Sequence, residues 1–294
     1  MRVILGMILL ICTSSTLSMA NGIVYVKNDQ IYKRDFVAKK GIKLTAKGRN
    51  MSPKVSPDGK YIVFQAIREG HNNYEVYVMS MDGEKKLLRR ISYGGSQGAV
   101  NPIWSNRGNC IFYYTNKNIA VLLDQNKVPM EYRIVTLDDY TALKNSTKCK
   151  SAVQTDDYDC KFTIIPSPDE KYHLLLFHRK IVVYDVLNNK VLFERVYPEG
   201  ITIPAWSKDS NSVAFIDERR TDTVIVLSVV FGTSKETSLD KQNNQECGSS
   251  MSWRNDGKKL AMSCFDVISE KHSVRVFDFK DSEILGPGSS VDWY

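Results

Sequence analysis

The side chains best suited to chemistry in this chain are four histidines (His71, His173, His178 and His272), one serine set among glycines, and six cysteines. Ser96 lies in Gly94-Gly95-Ser96-Gln97-Gly98, which fits the G-x-S-x-G spacing of a serine nucleophile. That spacing activates a serine only on a strand-to-helix turn, with an acid and a histidine to follow. Here it falls in a connection between repeats and reads as a glycine turn. His71, His178 and His272 fall at or beside equivalent loops of three different repeats, too far apart to converge on one ion. No Cys-x-x-Cys pair and no Cys/His cluster has zinc-ligand spacing, so neither a metal nor any other cofactor is expected.

The cysteines read as structural. Cys247 and Cys264 flank a hairpin centred on Asn255-Asp256, which sets them directly across from one another. Cys149 and Cys160 enclose a polar ten-residue loop and form a second candidate bridge, while Cys110 opens an apolar strand and is expected as a buried free thiol.

A basic set is the remaining functional candidate. Arg68, His71, Arg179, Lys180, Arg219, Arg220 and Lys271 recur in equivalent loops and would gather on one rim, a surface able to steer an acidic partner. The turns holding Asp58, Asp169, Asp209 and Asp256 would occupy the opposite rim. Net charge is only +7, with both signs interspersed, so composition does not point to nucleic acid. At 43% hydrophobic and 25% charged, the chain has ordinary globular composition.

The first twenty residues have the form of a signal peptide: Arg2, the apolar run Val3 to Cys12, and small residues at Ser18 and Ala20 before a cut ahead of Asn21. The domain is therefore expected over 21–294, exported to the periplasm or beyond, with no membrane span and as a monomer.

What positions the candidates is a repeat. SPKVSPDGKYIVFQA (52–66), NPIWSNRGNCIFYYT (101–115), IIPSPDEKYHLLLF (164–177), IPAWSKDSNSVAFID (203–217) and SMSWRNDGKKLAMSC (250–264) each read as strand, polar turn, apolar strand. Their spacing suits a four-stranded propeller blade, and runs such as YEVYVMS (74–80) and KIVVYDV (180–186) supply third strands. The 62 residues between Arg107 and Asp169 imply an insertion within 116–160. Trp104, Trp206 and Trp253 each stand three residues before the aligned turn position, and Trp293 falls in the same column. The chain ends just beyond Trp293, while GIVYV (22–26), QIYKRDF (30–36) and GIKLT (41–45) look like the second, third and fourth strands of the same blade. The fold expected is thus all-β, a six-bladed β-propeller of four-stranded antiparallel blades, its ring closed by a C-terminal strand together with N-terminal strands.

The segment KLTAKGRNMSPKVSPDGKYIVFQAIREGHNNYEVYVMSMDG (43–83) resembles the WD40-like repeats of the TolB-like propeller family. The resemblance extends over the whole chain after the signal segment, but without the additional α/β domain found ahead of the propeller in TolB. It implies a fold and not an activity. The function expected is a non-enzymatic protein-interaction module of the periplasm or cell envelope. The alternative is a lyase or hydrolase whose basic face holds an anionic polysaccharide.

Overall fold

The computed structural model describes residues 22–37, 40–68, 70–93, 98–105, 107–135, 139–140, 143, 162–220, 223–239, 245–254, 256–278 and 282–294. Cys149, Cys160, Ser96 and residues 1–21, which include the expected signal segment, lie outside the described residues. Six four-stranded antiparallel sheets form a ring. Blade 1 contains β1 (Gly22–Lys27), β2 (Gln30–Asp35) and β3 (Gly41–Lys43), and blade 2 is β4 (Arg49–Val55), β5 (Tyr61–Ile67), β6 (Glu75–Ser80) and β7 (Gly83–Arg90). Blade 3 is β8 (Val100–Trp104), β9 (Cys110–Tyr114), β10 (Asn118–Leu123) and β11 (Pro129–Val135). Blade 4 is β12 (Phe162–Pro166), β13 (Tyr172–Phe177), β14 (Lys180–Asp185) and β15 (Lys190–Val196). Blade 5 is β16 (Ala205–Trp206), β17 (Ser212–Ile216), β18 (Thr223–Ser228) and β19 (Thr233–Ser238). Blade 6 is β20 (Gln245–Trp253), β21 (Leu260–Asp266), β22 (Lys271–Phe277) and β23 (Ser282–Pro287). The last strand, β24 (Ser289–Trp293), pairs with β1 and becomes the innermost strand of blade 1. The insertion sits in the link from blade 3 to blade 4, where Tyr140 and Leu143 pack against Phe162 and Tyr184.

Each recurring sequence feature has a structural cause. In the hairpin between the first two strands of blade 2, the Ser56 hydroxyl donates to Asp58 at 2.6 Å, and the same aspartate accepts the Lys60 N–H at 3.1 Å. The Tyr61 N–H donates back to Ser56 Oγ at 2.9 Å. Ser167 with Asp169, and Ser207 with Asp209, repeat this arrangement. Short polar side chains thereby satisfy turn amides that would otherwise face only solvent. Burial pushes the Asp58, Asp169 and Asp209 carboxyls up, but the serine hydroxyls and turn N–H groups outweigh it and all three end below the ordinary aspartate range. The aspartate column is thus spent on holding turns.

The tryptophans bind blade to blade. The indole N–H of Trp104 donates to the Lys54 carbonyl at 3.0 Å, that of Trp206 to Ile165 at 2.9 Å, that of Trp253 to Ala205 at 3.0 Å and that of Trp293 to Ser252 at 2.8 Å. In every case the acceptor belongs to the inner strand of the preceding blade. All four rings are buried, so each interface gains a large apolar surface while its polar N–H stays satisfied. The core is accordingly a set of layers between blades. Ile62, Phe64 and Tyr77 of blade 2 pack on Val24 and Ile31 of blade 1, while Val63, Val76 and Val78 pack on Trp104, Ile111 and Val121 of blade 3. Strands packed on both faces lose the apolar/polar alternation of a half-exposed sheet, hence runs such as IVVY and VIVL.

Cys247 and Cys264 are cross-strand partners in β20 and β21 and form a disulfide, with Cα atoms 4.0 Å apart. Cys110 is a free, half-buried thiol; burial, with help from the Glu170 carboxylate, pushes it up to about 11. Since the thiolate is the reactive form, alkylation of the folded protein at pH 8 should spare Cys110, and peptide mapping should recover Cys247 joined to Cys264. Rapid labelling of Cys110 under native conditions, or its recovery in a disulfide, would contradict this assignment.

Candidate interaction face

Antiparallel order within every blade sends the link between blades and the turn between second and third strands to one face, and the Ser/Asp hairpins to the other. The structure brings the basic candidates to that first face, but it commits most of them to partners. Arg68 departs furthest from expectation: it is 7% exposed, and its guanidinium donates to Asn50 Oδ1 from Nη2 at 2.7 Å and to Glu84 at 2.8 Å. Its cation also lies over the Phe64 and Tyr77 rings, at 5.4 and 5.7 Å. Arg68, just past the end of β5, is therefore a buried tie from its own blade's inner strand at Asn50 to the outer strand at Glu84.

Three more cations are paired near the surface. Lys180 meets Glu194 at 3.0 Å, Arg219 meets Asp217 at 2.8 Å and Arg220 meets Glu236 at 2.7 Å. The Arg219 hydrogen bond outweighs the effect of burial and holds the Asp217 carboxyl below its usual range. His71 Nε2 accepts an N–H from Arg90 at 2.9 Å, so its proton sits on Nδ1. Arg179 and Lys271 are exposed. The face is consequently less basic than a count of its residues implies.

Sequence reasoning missed the concave part of this face. At the junction of blades 3, 4 and 5 lies a cavity of about 330 Å³, lined by Tyr114, Phe162, Phe177, His178, Glu199 and Glu218 among others. Its polar members come from the end of β13, the link after β15 and the turn after β17. Gly200 forms part of the wall with φ +100°, and a Cβ there would press on the Glu218 carboxylate, which explains a glycine between the two glutamates' segments. Aromatic walls with two carboxylates at the mouth suit an apolar side chain that ends in a positive charge. The residues come from segments more than a hundred positions apart, and no local motif joins them. Among the described residues, no three His, Cys, Asp or Glu side chains assemble a metal site, and no helix is long and apolar enough to cross a membrane.

No family model matches the chain, and no curated protein matches it in sequence. Solved structures do match in shape. TolB from Acinetobacter baumannii aligns with a TM-score of 0.65 at 13% identity, over 94% of this chain and 67% of that one. A putative TolB from Agrobacterium tumefaciens aligns at 0.58 and 16% identity, over 94% and 99%. The nidogen/laminin complex aligns at 0.62 and 10% identity, over 92% and 97%. At these identities the likeness is one of architecture, and with six closed four-stranded blades in hand it is plain: the chain folds as a TolB-like six-bladed β-propeller.

Proposed function

We propose that the protein is an exported, non-enzymatic interaction module of the periplasm or cell envelope that docks another protein on the face formed by its blade links and its turns from second to third strand. The observation that carries this reading is the cavity at the junction of blades 3 to 5, open on that face and lined by aromatic rings with Glu199 and Glu218. A pocket of this size seats one anchoring side chain of a partner, the usual centre of an interface. On the same face, Arg179, Lys180, Arg219, Arg220, His71 and Lys271 form a rim whose charges, largely paired, contribute orientation and association rate more than affinity. Both the TolB-like neighbours and the nidogen/laminin complex share the architecture, and the latter is a complex of two proteins.

The test compares capture of envelope proteins by the mature chain and by two variants. Ile201→Trp fills the cavity and should abolish capture of the specific partner. Reversing Arg219 and Arg220 to Glu should slow association and flatten its salt dependence. Capture unchanged in both variants would place binding elsewhere. Release of unsaturated or reducing sugars from an anionic polysaccharide by the wild type would instead favour the lyase or hydrolase reading.

A further inference from the structure

The outer strands of a propeller present unpaired backbone edges, and proteins ordinarily guard such edges against pairing with other chains. Five of the six blades here do so. Strand β3 has three residues, β7 carries Lys85, Lys86, Arg89 and Arg90, β19 reads Thr-Ser-Lys-Glu-Thr-Ser, β23 ends in Gly286-Pro287, and β15 carries Lys190 at its start and Glu194 and Arg195 toward its end. Strand β11 also carries charges, Glu131 and Arg133, but alternates them with exposed apolar residues. It terminates the order β11-β10-β9-β8, and it exposes Met130 at 67%, Tyr132 at 48% and Ile134 at 49%.

The hydrogen-bond parity of this edge can be worked out. The Leu123 N–H donates inward to Asn109, whereas the Asp124 N–H donates to Val128 on the outer side. Even-numbered residues of β10 therefore serve β11, and their partners there are Glu131, Arg133 and Val135. The backbone groups of Tyr132 and Ile134 therefore point to the edge that no described strand pairs, while Met130 sits at the bulge opposite Leu122 and Leu123. Tyr132 is already held in place, its hydroxyl donating to the Ile91 carbonyl at 3.0 Å.

We propose that β11 is a homodimerisation edge, with two copies of this chain joining β11 to β11 antiparallel about Tyr132. The sequence Met130-Glu131-Tyr132-Arg133-Ile134 is chemically palindromic. In the register centred on Tyr132, Met130 of each copy lies opposite Ile134 of the other, Glu131 lies opposite Arg133 and Tyr132 opposite Tyr132. Directly opposed residues share a sheet face, so the apolar row becomes continuous on one face and two reciprocal ion pairs form on the other. Each outward-pointing N–H and C=O then meets its own kind of partner in the second copy. Arg133 already contacts Asp139, but its guanidinium has five donors and two-thirds of its side chain is exposed, leaving room for Glu131 of the second copy. The two blades would merge into one eight-stranded sheet. Because a single edge buries little area, the dimer should be concentration-dependent, with Kd on the order of micromolar. This departs from the monomer expected on sequence grounds.

Sedimentation equilibrium of the mature chain tests the proposal. The wild type should show a reversible dimer. Glu131→Arg puts two arginine pairs in opposition and should weaken association about tenfold or more, with an unchanged melting temperature. Adding Arg133→Glu restores opposite charges in the same register and should recover dimerisation. Should E131R fail to fold, the mirror reversal R133E alone supplies the same disruption. A wild type that stays monomeric as concentration rises, an E131R dimer as tight as wild type, or a double variant no tighter than the single would each overturn the pairing.

Discussion

Deleting Val291 to Tyr294 is expected to unfold the propeller or to lower its melting temperature severely. β24 closes the ring through pairs Ile23↔Trp293 and Val24↔Asp292, and Val291 and Trp293 are buried at 0% and 3% exposure. Asp292 ties three inner strands together: its carboxylate accepts the Val55 N–H of blade 2 at 2.8 Å and the Ser252 hydroxyl of blade 6 at 2.5 Å. The approach is close enough that Gly22 tolerates no side chain, since a Cβ there would fall on the Tyr294 ring and the Arg34 carbonyl. Losing the buried indole alone costs about 3–5 kcal/mol on the scale of large-to-small core truncations. Loss of the strand also leaves Val55 N–H and the β1 edge without partners, adding about 1–3 kcal/mol per buried orphan. Graded variants keep the test readable where the deletion does not fold. Trp293→Phe, which removes the N–H to Ser252 and leaves part of the indole's buried volume unfilled, should cost about 2–3 kcal/mol, and Trp293→Ala about 3–5. A deletion variant with the wild-type melting curve would disprove closure through β24.

Acidification between pH 6.5 and 4 is expected to cost about 3 kcal/mol through a single side chain, His173. This residue lies in β13, edge-on to Tyr140 and Phe112, and its Nδ1 is 2.9 Å from the Tyr140 hydroxyl. Burial lowers the His173 pKa from 6.5 to about 4. The unfolded chain therefore binds a proton near pH 6.5 that the folded chain refuses until about pH 4. Stability is fully present above 6.5, falls as pH drops through that window, and loses no more to this group below 4. The lowered aspartates Asp58, Asp169 and Asp209 titrate in the unfolded chain near 3.8, so their contribution disappears in a lower window. Urea unfolding at pH 7 and pH 4.2 should show the loss in wild type and much less of it in His173→Leu, whose starting stability is lower. Equal losses in both proteins would remove His173 as the cause.

Much of the architecture is legible in the sequence, for reasons the structure makes physical. The aspartate turns and the tryptophan column recur because most blades solve the same two local problems, satisfying a tight hairpin and sealing the interface to the preceding blade. Where those problems recur, the residues recur, as at Ser56/Asp58, Ser167/Asp169 and Ser207/Asp209. The pairing of Cys247 with Cys264 was legible because hairpin symmetry places them opposite one another. The strands at 22–26, 30–36 and 41–45 announced ring closure because they complete a blade that stops at Trp293.

The interaction face was less legible, since charge recurs in loops without recording its partners. Arg68 and Arg179 look alike in sequence, yet one is buried on Asn50 and Glu84 while the other is exposed. The difference depends on Glu84 arriving from an outer strand sixteen residues away. The cavity holding Glu199 and Glu218 needs Tyr114 and Phe162 from two other blades, and the apolar edge of β11 counts as exposed only because that strand is the last of its sheet. Local periodicity and turn chemistry act over a few residues, so a single sequence determines blades, hairpins and their order by itself. Which side chains meet across blades, and which edges stay open, is decided only when the ring closes, because closure alone sets the distances between segments a hundred residues apart.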